Sequence, residues 1–148
     1  MQTKRGFLGP RPDNTGLNGV KLYCKHPNTK MQKGDVTSGI GGLGSWTTQR
    51  SCRRRDSFLI GYRFKAEGPK RSGDRIFGVN IDVKCQDGEF IRGRSDGEKW
   101  GDWGQWSSET SCSTGEAICG IQTRIHPKVA RKKDDAGLTD IKLICCKF

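Results

Sequence analysis

Short alternating stretches mark the chain. Val20-Lys-Leu-Tyr-Cys24 and Ile141-Lys-Leu-Ile-Cys145 place apolar side chains at every second position. A period of two sets one face of a strand against a core and the other toward water. The longest apolar runs, such as Phe58-Leu59-Ile60, are strand-sized. None approaches the roughly 18–20 residues that a membrane-spanning helix needs. Gly41-Gly42, Pro69, Gly73, Asp87-Gly88, Asp96-Gly97 and Pro127 punctuate the segments. Turn residues at such short intervals predict an all-β fold: a sandwich, a barrel or a prism.

The pattern repeats. Cys24, Cys85 and Cys145 lie at nearly equal intervals, each preceded at fixed distances by the same residue types. Asp13, Asp74 and Asp134 stand eleven residues before; Leu17, Gly78 and Leu138 seven; Val20, Ile81 and Ile141 four; Leu22, Val83 and Leu143 two. The middle copy diverges, with Arg75 and Gly78 in place of a polar residue and Leu. A second element recurs between these. Trp46-Thr-Thr-Gln-Arg-Ser-Cys52 matches Trp106-Ser-Ser-Glu-Thr-Ser-Cys112, and Leu59-Ile-Gly61-Tyr62 matches Ile118-Cys-Gly120-Ile121. Two full units are predicted, with a third represented by its last piece, residues 13–24. Internal repeats on this scale point to one supersecondary unit used several times around a shared core.

Composition narrows the class. Only 32% of the 148 residues are hydrophobic and 21 are Gly, which argues against a helical bundle. Seven cysteines include no Cys-x-x-Cys pair, and His26 and His126 are each followed by Pro, so zinc-finger spacing is absent. No metal, cofactor or catalytic residue is predicted. The cysteines read as disulfides in an oxidising compartment, hence a secreted, extracellular protein. Residues 1–7 lack the apolar core of a signal peptide, so a mature or engineered start is expected, with Met1 added. The formal charge of +11 attracts anionic partners.

The stretch from Lys99 to Trp106, Ala117-Ile-Cys-Gly-Ile-Gln-Thr-Arg-Ile125, and Asp134-Asp135 through Leu138 to Cys145-Cys146 resembles the vitelline membrane outer layer protein family. The likeness runs over about residues 10 to 148 and is strongest in the last third. It implies a single domain, residues 1–148: a three-sided β-prism of Greek-key sheets with pseudo-threefold internal repeats, the first repeat incomplete at the N-terminus. It also implies secretion, disulfides within repeats and a role in extracellular coats. A prism of this kind is shared with jacalin-type lectins, and a transferase-like action on chitooligosaccharides belongs to the same resemblance.

Equal spacing in equivalent repeats predicts the bridges Cys52–Cys85 and Cys112–Cys145. Cys119–Cys146 completes a third, and Cys24 is left over, raising a homodimer joined through it. Among the tryptophans, Trp46 and Trp106 sit at matched repeat positions and read as packing residues. Trp100 and Trp103 flank Asp102 without a matched copy and are candidate platforms for a sugar ring. Asp13, Asn14, Asp74, Asp134 and Asp135 fall on turns that threefold symmetry brings to one end, where they would accept hydrogen bonds from sugar hydroxyls. Such residues also fix turns by bonding their own backbone. Arg50, Arg53, Arg54, Arg55, Lys70, Arg71, Arg131, Lys132 and Lys133 form a candidate polyanion surface, since guanidinium forks match sulfate and carboxylate. The expected function is an extracellular coat or matrix protein that binds carbohydrate, chiefly acidic glycans. The alternatives are a lectin for small neutral sugars at the loop ends and a weak carbohydrate-transferase-like enzyme. Matrix components are expected partners; nucleic acid is disfavoured, and no membrane span is expected.

Overall fold

The computed structural model describes residues 1–6, 16–68, 76–93, 103–126 and 137–147. Among them there are eleven strands and no helix. The first antiparallel sheet contains β1 (Gln2–Arg5), β2 (Leu17–Lys25), β3 (Gln32–Thr37) and β4 (Ser45–Trp46), in spatial order β3-β2-β1-β4. The second contains β5 (Leu59–Glu67), β6 (Phe77–Cys85), β7 (Phe90–Arg92) and β8 (Gln105–Trp106), ordered β7-β6-β5-β8, with β9 (Thr110–Ser111) also on β5. The third is the hairpin of β10 (Glu116–Ile125) and β11 (Leu138–Lys147). In both larger sheets three consecutive strands are followed by a fourth that returns beside the first, the Greek-key order. The expected all-β class and its three-sheet arrangement are therefore present.

The hairpins share one register. Thr3 faces Val20, Phe64 faces Ile81 and Thr123 faces Ile141, each apolar partner four residues before its cysteine. Each hairpin then bulges: the pairing skips Asn18 between Lys4 and Arg5, Val79 between Lys65 and Ala66, and Thr139 between Arg124 and Ile125. One extra residue reverses which face the following side chains occupy. Leu17 and Leu138 thereby point inward beside Val20 and Ile141 despite the odd spacing. The common core joins Leu17, Val20, Leu22, Ile81, Val83, Ile121, Leu138 and Ile141 from all three sheets. On the second sheet the reversal turns Phe77 and Val79 outward, and Trp103 packs over them.

The divergence of the middle repeat has a steric cause. A Cβ on Gly78 would lie 2.6 Å from Cζ of Phe64 and 2.9 Å from the Leu138 carbonyl. The Phe64 ring occupies the volume that Leu fills in the other copies, where the partner strand carries the smaller Thr3 or Thr123. Phe64 with Gly78 is thus an exchange of large and small across one strand pair.

Two sequence expectations are corrected. The third repeat is more than residues 13–24, because β1 pairs with β2 and takes the place of β5 and β10. Gln2-Thr-Lys-Arg5 escaped notice because it has no apolar alternation. Trp46 and Trp106 are half-buried packing residues but lie outside the central core. They sit on outer sheet faces beneath cations: Lys21 Nζ is 5.0 Å from the Trp46 ring centroid, and the Arg63 guanidinium is 4.4 Å from that of Trp106.

Arg63 also stands 5.3 Å from the Phe90 ring and donates to buried Asp82 Oδ2 at 2.7 Å. Asp82 is 2% exposed and its Oδ1 lacks a hydrogen-bond partner among the described residues, so the Arg63 charge is what makes that carboxylate tolerable there. Arg63→Ala is expected to destabilise the fold by about 3 kcal/mol in urea denaturation, the scale for stranding one member of a buried pair. Asp82→Asn in the same background should recover part of the loss; a loss below about 0.5 kcal/mol, as for an exposed pair, would refute this account.

Three disulfides link Cys52 to Cys85, Cys112 to Cys145 and Cys119 to Cys146, and Cys24 is free and exposed. The Cys52–Cys85 and Cys112–Cys145 pairings follow the repeat spacing.

Candidate functional site

Two ends of the molecule concern function. At one end lie the shoulders Gly16, Gly78 and Gly137, which flank the sequence segments carrying the aspartates. These shoulders meet: a Cβ on Gly16 would lie 2.3 Å from the Gly78 carbonyl, one on Gly78 would lie 2.9 Å from the Leu138 carbonyl, and one on Gly137 would lie 2.6 Å from the Leu17 carbonyl. Backbone this close leaves no room for side chains. Gly16 adds a positive φ of 51°, a second reason for glycine there. The three hairpins therefore converge at this end, each flanking one intervening segment of sequence. Asp13, Asn14, Asp74, Asp134, Asp135, Lys70, Arg71, Arg131, Lys132 and Lys133, in those segments, lie outside the described residues, as do Trp100 and Asp102. Trp103 is described: it is half-buried against Phe77 and Val79, so much of its ring is committed to packing.

The other end is the cysteine end. Segment 47–58 leaves the first sheet after β4, passes Cys52 and enters β5. Its disulfide to buried Cys85 pins it across the end of the second hairpin. Arg50, Arg53, Arg54 and Arg55 all ride on this pinned segment, which is why the structure brings them together. Their charges are not equally available. Arg54 donates to both oxygens of Asp56, at 3.2 and 2.9 Å, and this pairing holds the Asp56 carboxyl below the usual range. The Arg53 side chain is 89% exposed, and its guanidinium stands 4.0 Å from Glu89. Arg55 is exposed and carries no ion pair among the described residues. Lys25 joins the segment by donating to the Arg55 carbonyl at 3.3 Å. Lys30 reaches over the Phe58 ring at 4.7 Å.

Beside this segment is a cavity of about 240 Å³. Leu22, Val36, Phe58, Leu59, Ile91 and Ile118 give it an apolar lining, and Lys25, Arg50 and Lys147 stand at its margin. Cys24 lines it too, as does Ser57, whose residue is 5% exposed and whose hydroxyl has no hydrogen-bond partner among the described residues. The Met1 amine is nearby; burial, reinforced by Lys25, pushes its pKa down to about 6. Sequence reasoning missed Ser57, Lys25, Lys147 and the cavity itself. No local signal marks them, because all three sheets contribute the walls.

One further cluster, Cys85, Asp87 and Glu89, brings potential ligand atoms within 4.8 Å of one another. The Cys85 sulfur is already bonded to Cys52. Asp87 accepts from the Glu89 N–H at 3.1 Å, and Glu89 accepts from the Arg53 N–H at 2.8 Å. These groups brace a turn. No helix among the described residues is long and apolar enough to cross a membrane.

Comparison with known proteins adds independent weight. The family described as vitelline membrane outer layer protein I matches residues 1–148. A vitelline membrane outer layer protein 1 homolog of Mus musculus is 37% identical over 134 residues, covering 90% of this chain and 63% of the relative. The Homo sapiens homolog is 35% identical over 135 residues, covering 91% and 63%. The chain thus spans a little under two thirds of the length of both relatives.

Proposed function

The chain belongs to the vitelline membrane outer layer protein I family, and from that membership we propose that it is an extracellular coat or matrix component that binds acidic carbohydrate through its cysteine end. The observation that carries this reading is the pinned segment 50–55. It presents Arg53 and Arg55 to solvent beside Arg50 and Lys25, on a backbone that a disulfide holds in place. Sulfate and carboxylate groups of a glycan accept paired hydrogen bonds from such guanidinium groups. Prior anchoring of the segment lowers the ordering cost of binding. A net charge of +11 draws polyanions toward the surface before contact. Glycans of an extracellular coat are the acidic partners such a protein would meet.

The test is binding to a sulfated glycosaminoglycan, with a neutral chitooligosaccharide as control. The triple variant Arg50→Ala, Arg53→Ala, Arg55→Ala is expected to bind the sulfated glycan about tenfold more weakly, from roughly 0.5 kcal/mol per exposed charge pair. Affinity should fall steeply between low salt and ~0.15 M, where screening is strong. Salt-independent binding, or unchanged affinity in the triple variant, would end this reading.

The meeting of the three hairpin shoulders favours a second reading: a lectin whose loop tips, with Asp13, Asp74 and Asp134, share one small neutral sugar. Saturable, salt-insensitive binding of a monosaccharide that is lost in Asp134→Ala would select it. We assign no catalytic role to either end.

A further inference from the structure

Trp100-Gly-Asp-Trp103-Gly-Gln-Trp106 spaces three tryptophans at intervals of three, and the readings of the two ends do not account for the run. In an uninterrupted strand, residues three apart face opposite sides of a sheet. Here a turn at Gly104, with a φ of 82°, separates Trp103 from β8. Trp103 and Trp106 consequently share the outer face of the second sheet. Trp103 lies over Phe77 and Val79. Trp106 lies under Arg63, 4.4 Å from its ring centroid, with Lys65 Nζ at 5.8 Å.

The first sheet shows what packing alone requires at this turn. Gly44 matches Gly104: its φ is also 82°, and a Cβ on it would lie 2.1 Å from the Arg5 carbonyl, as one on Gly104 would lie 2.3 Å from that of Ala66. Arg5 pairs with Ser45 and Ala66 with Gln105, so the two turns hold one register. Leu43 therefore stands where Trp103 stands, and both are half-buried. The position asks for an apolar side chain, and the fold does not need an indole there. Half-burial leaves part of Trp103 at the surface, with room for a substituent that a fully buried residue would not have.

We propose that Trp103 is a C-mannosylation site, the acceptor of a single mannose joined to indole C2. A tryptophan followed at the third position by another tryptophan is the pattern that C-mannosyltransferases of the secretory pathway modify, on its first member. Trp103 and Trp106 form such a pair. Trp46 and Trp106 do not begin one, because Gln49 and Glu109 stand three residues after them. A motif counts by its structural context, and here that context is a half-exposed indole that packing does not demand. The inference rests on the extracellular reading for passage through the secretory pathway, and it is independent of what the cysteine end binds. The donor is a mannose carried on a polyprenyl phosphate. Indole C2 attacks C1 of the mannose, and a C–C bond forms as the C1–O bond to phosphate breaks. The phosphate leaves with that electron pair, and the C2 proton passes to a base of the transferase, restoring the aromatic ring. The sugar adds hydroxyl groups to the face where Arg63 attends both Phe90 and Trp106.

The test expresses the full chain behind a heterologous leader, in cultured mammalian cells and in a bacterial periplasm, which lacks the transferase. The leader sends the chain through the secretory pathway whatever its natural location. A bare Trp103 therefore overturns this proposal without touching the extracellular reading, which the location of the natural protein decides. Peptide mapping by mass spectrometry finds the added hexose. Fragmentation identifies a carbon linkage, because a C-linked sugar breaks across its ring and is not shed whole. The expected result is one hexose on Trp103 in the mammalian product, none in the bacterial product and none on Trp46 in either. Trp106→Ala removes the second member of the pair and should abolish the hexose on Trp103. The transferase acts before folding, so mapping covers chain retained inside the cell as well as secreted chain, and a folding defect does not hide the result. An unmodified Trp103 in the mammalian product overturns the proposal. So does a hexose confined to Trp100, or one that persists on Trp103 in Trp106→Ala.

Discussion

Gly78→Leu is expected to destabilise the protein by about 3 kcal/mol, the upper range for forcing extra carbon into a packed core. The new side chain begins 2.6 Å from the Phe64 ring. Phe64→Thr, made alone, is expected to lose a similar ~3 kcal/mol by opening a void. Together the two changes recreate the Thr and Leu pairing of the neighbouring hairpins, Thr3 with Leu17 and Thr123 with Leu138. The double variant should therefore lose far less than the sum, with a favourable coupling of at least ~2 kcal/mol. A small backbone adjustment near the Leu138 carbonyl is part of the exchange, since a Cβ would start 2.9 Å from it. Urea denaturation of the wild type, both singles and the double closes the cycle. Additive losses would show that the two positions do not share one space.

That pair also shows what could be read from the residues alone. The spacing of Leu17, Gly78 and Leu138 revealed the repeat and marked the middle copy as odd. The reason for the oddity lay fourteen residues upstream on another strand, and only the register of β5 with β6 brings Phe64 to Gly78. Disulfide pairing was legible because spacing in a repeat is a property of the chain. The alternation of Val20 to Cys24 and Ile141 to Cys145 disclosed β2 and β11, whereas Gln2-Thr-Lys-Arg5 concealed β1, which is specified by its neighbours. Trp46 and Trp106 were correctly matched to one another, but periodicity does not say which side of a short two-residue strand faces the core. The arginines around Cys52 were legible as a run. Their unequal availability was not, because Asp56 and Glu89 decide it from different parts of the sequence.

Removing the Cys52–Cys85 bridge, as Cys52→Ala with Cys85→Ala, is the second large effect expected. The bridge closes a 33-residue separation. Loop-closure entropy at that length is worth about 3–4 kcal/mol in the chain-entropy model. A chain with 32% hydrophobic residues has limited apolar burial to offset the loss, so the midpoint of thermal unfolding should drop by more than ~10 °C. Cys119–Cys146, at a separation of 27, has nearly the same entropic worth because the dependence on length is logarithmic. The two bridges differ in access. Cys119 and Cys146 are both exposed, while Cys52 is 9% and Cys85 is 0% exposed. Graded reduction followed by alkylation and mass mapping should open Cys119–Cys146 first and Cys52–Cys85 last. If the buried bridge reduces first, access does not control the order.

The fourth strand of each Greek key has one last consequence. β4 completes the sheet of β1 to β3 yet opens the unit that continues into β5, and β8 stands in the same relation to the hairpin of β10 and β11. The second and third repeats each lend an opening strand to the repeat before. Cutting the chain between repeats would strip an edge from one sheet and a covalent clamp from its neighbour, so no third of the molecule is a self-sufficient module. Unlike a solenoid, which can be shortened by whole repeats, this architecture behaves as an interlocked series of three that stands or falls together.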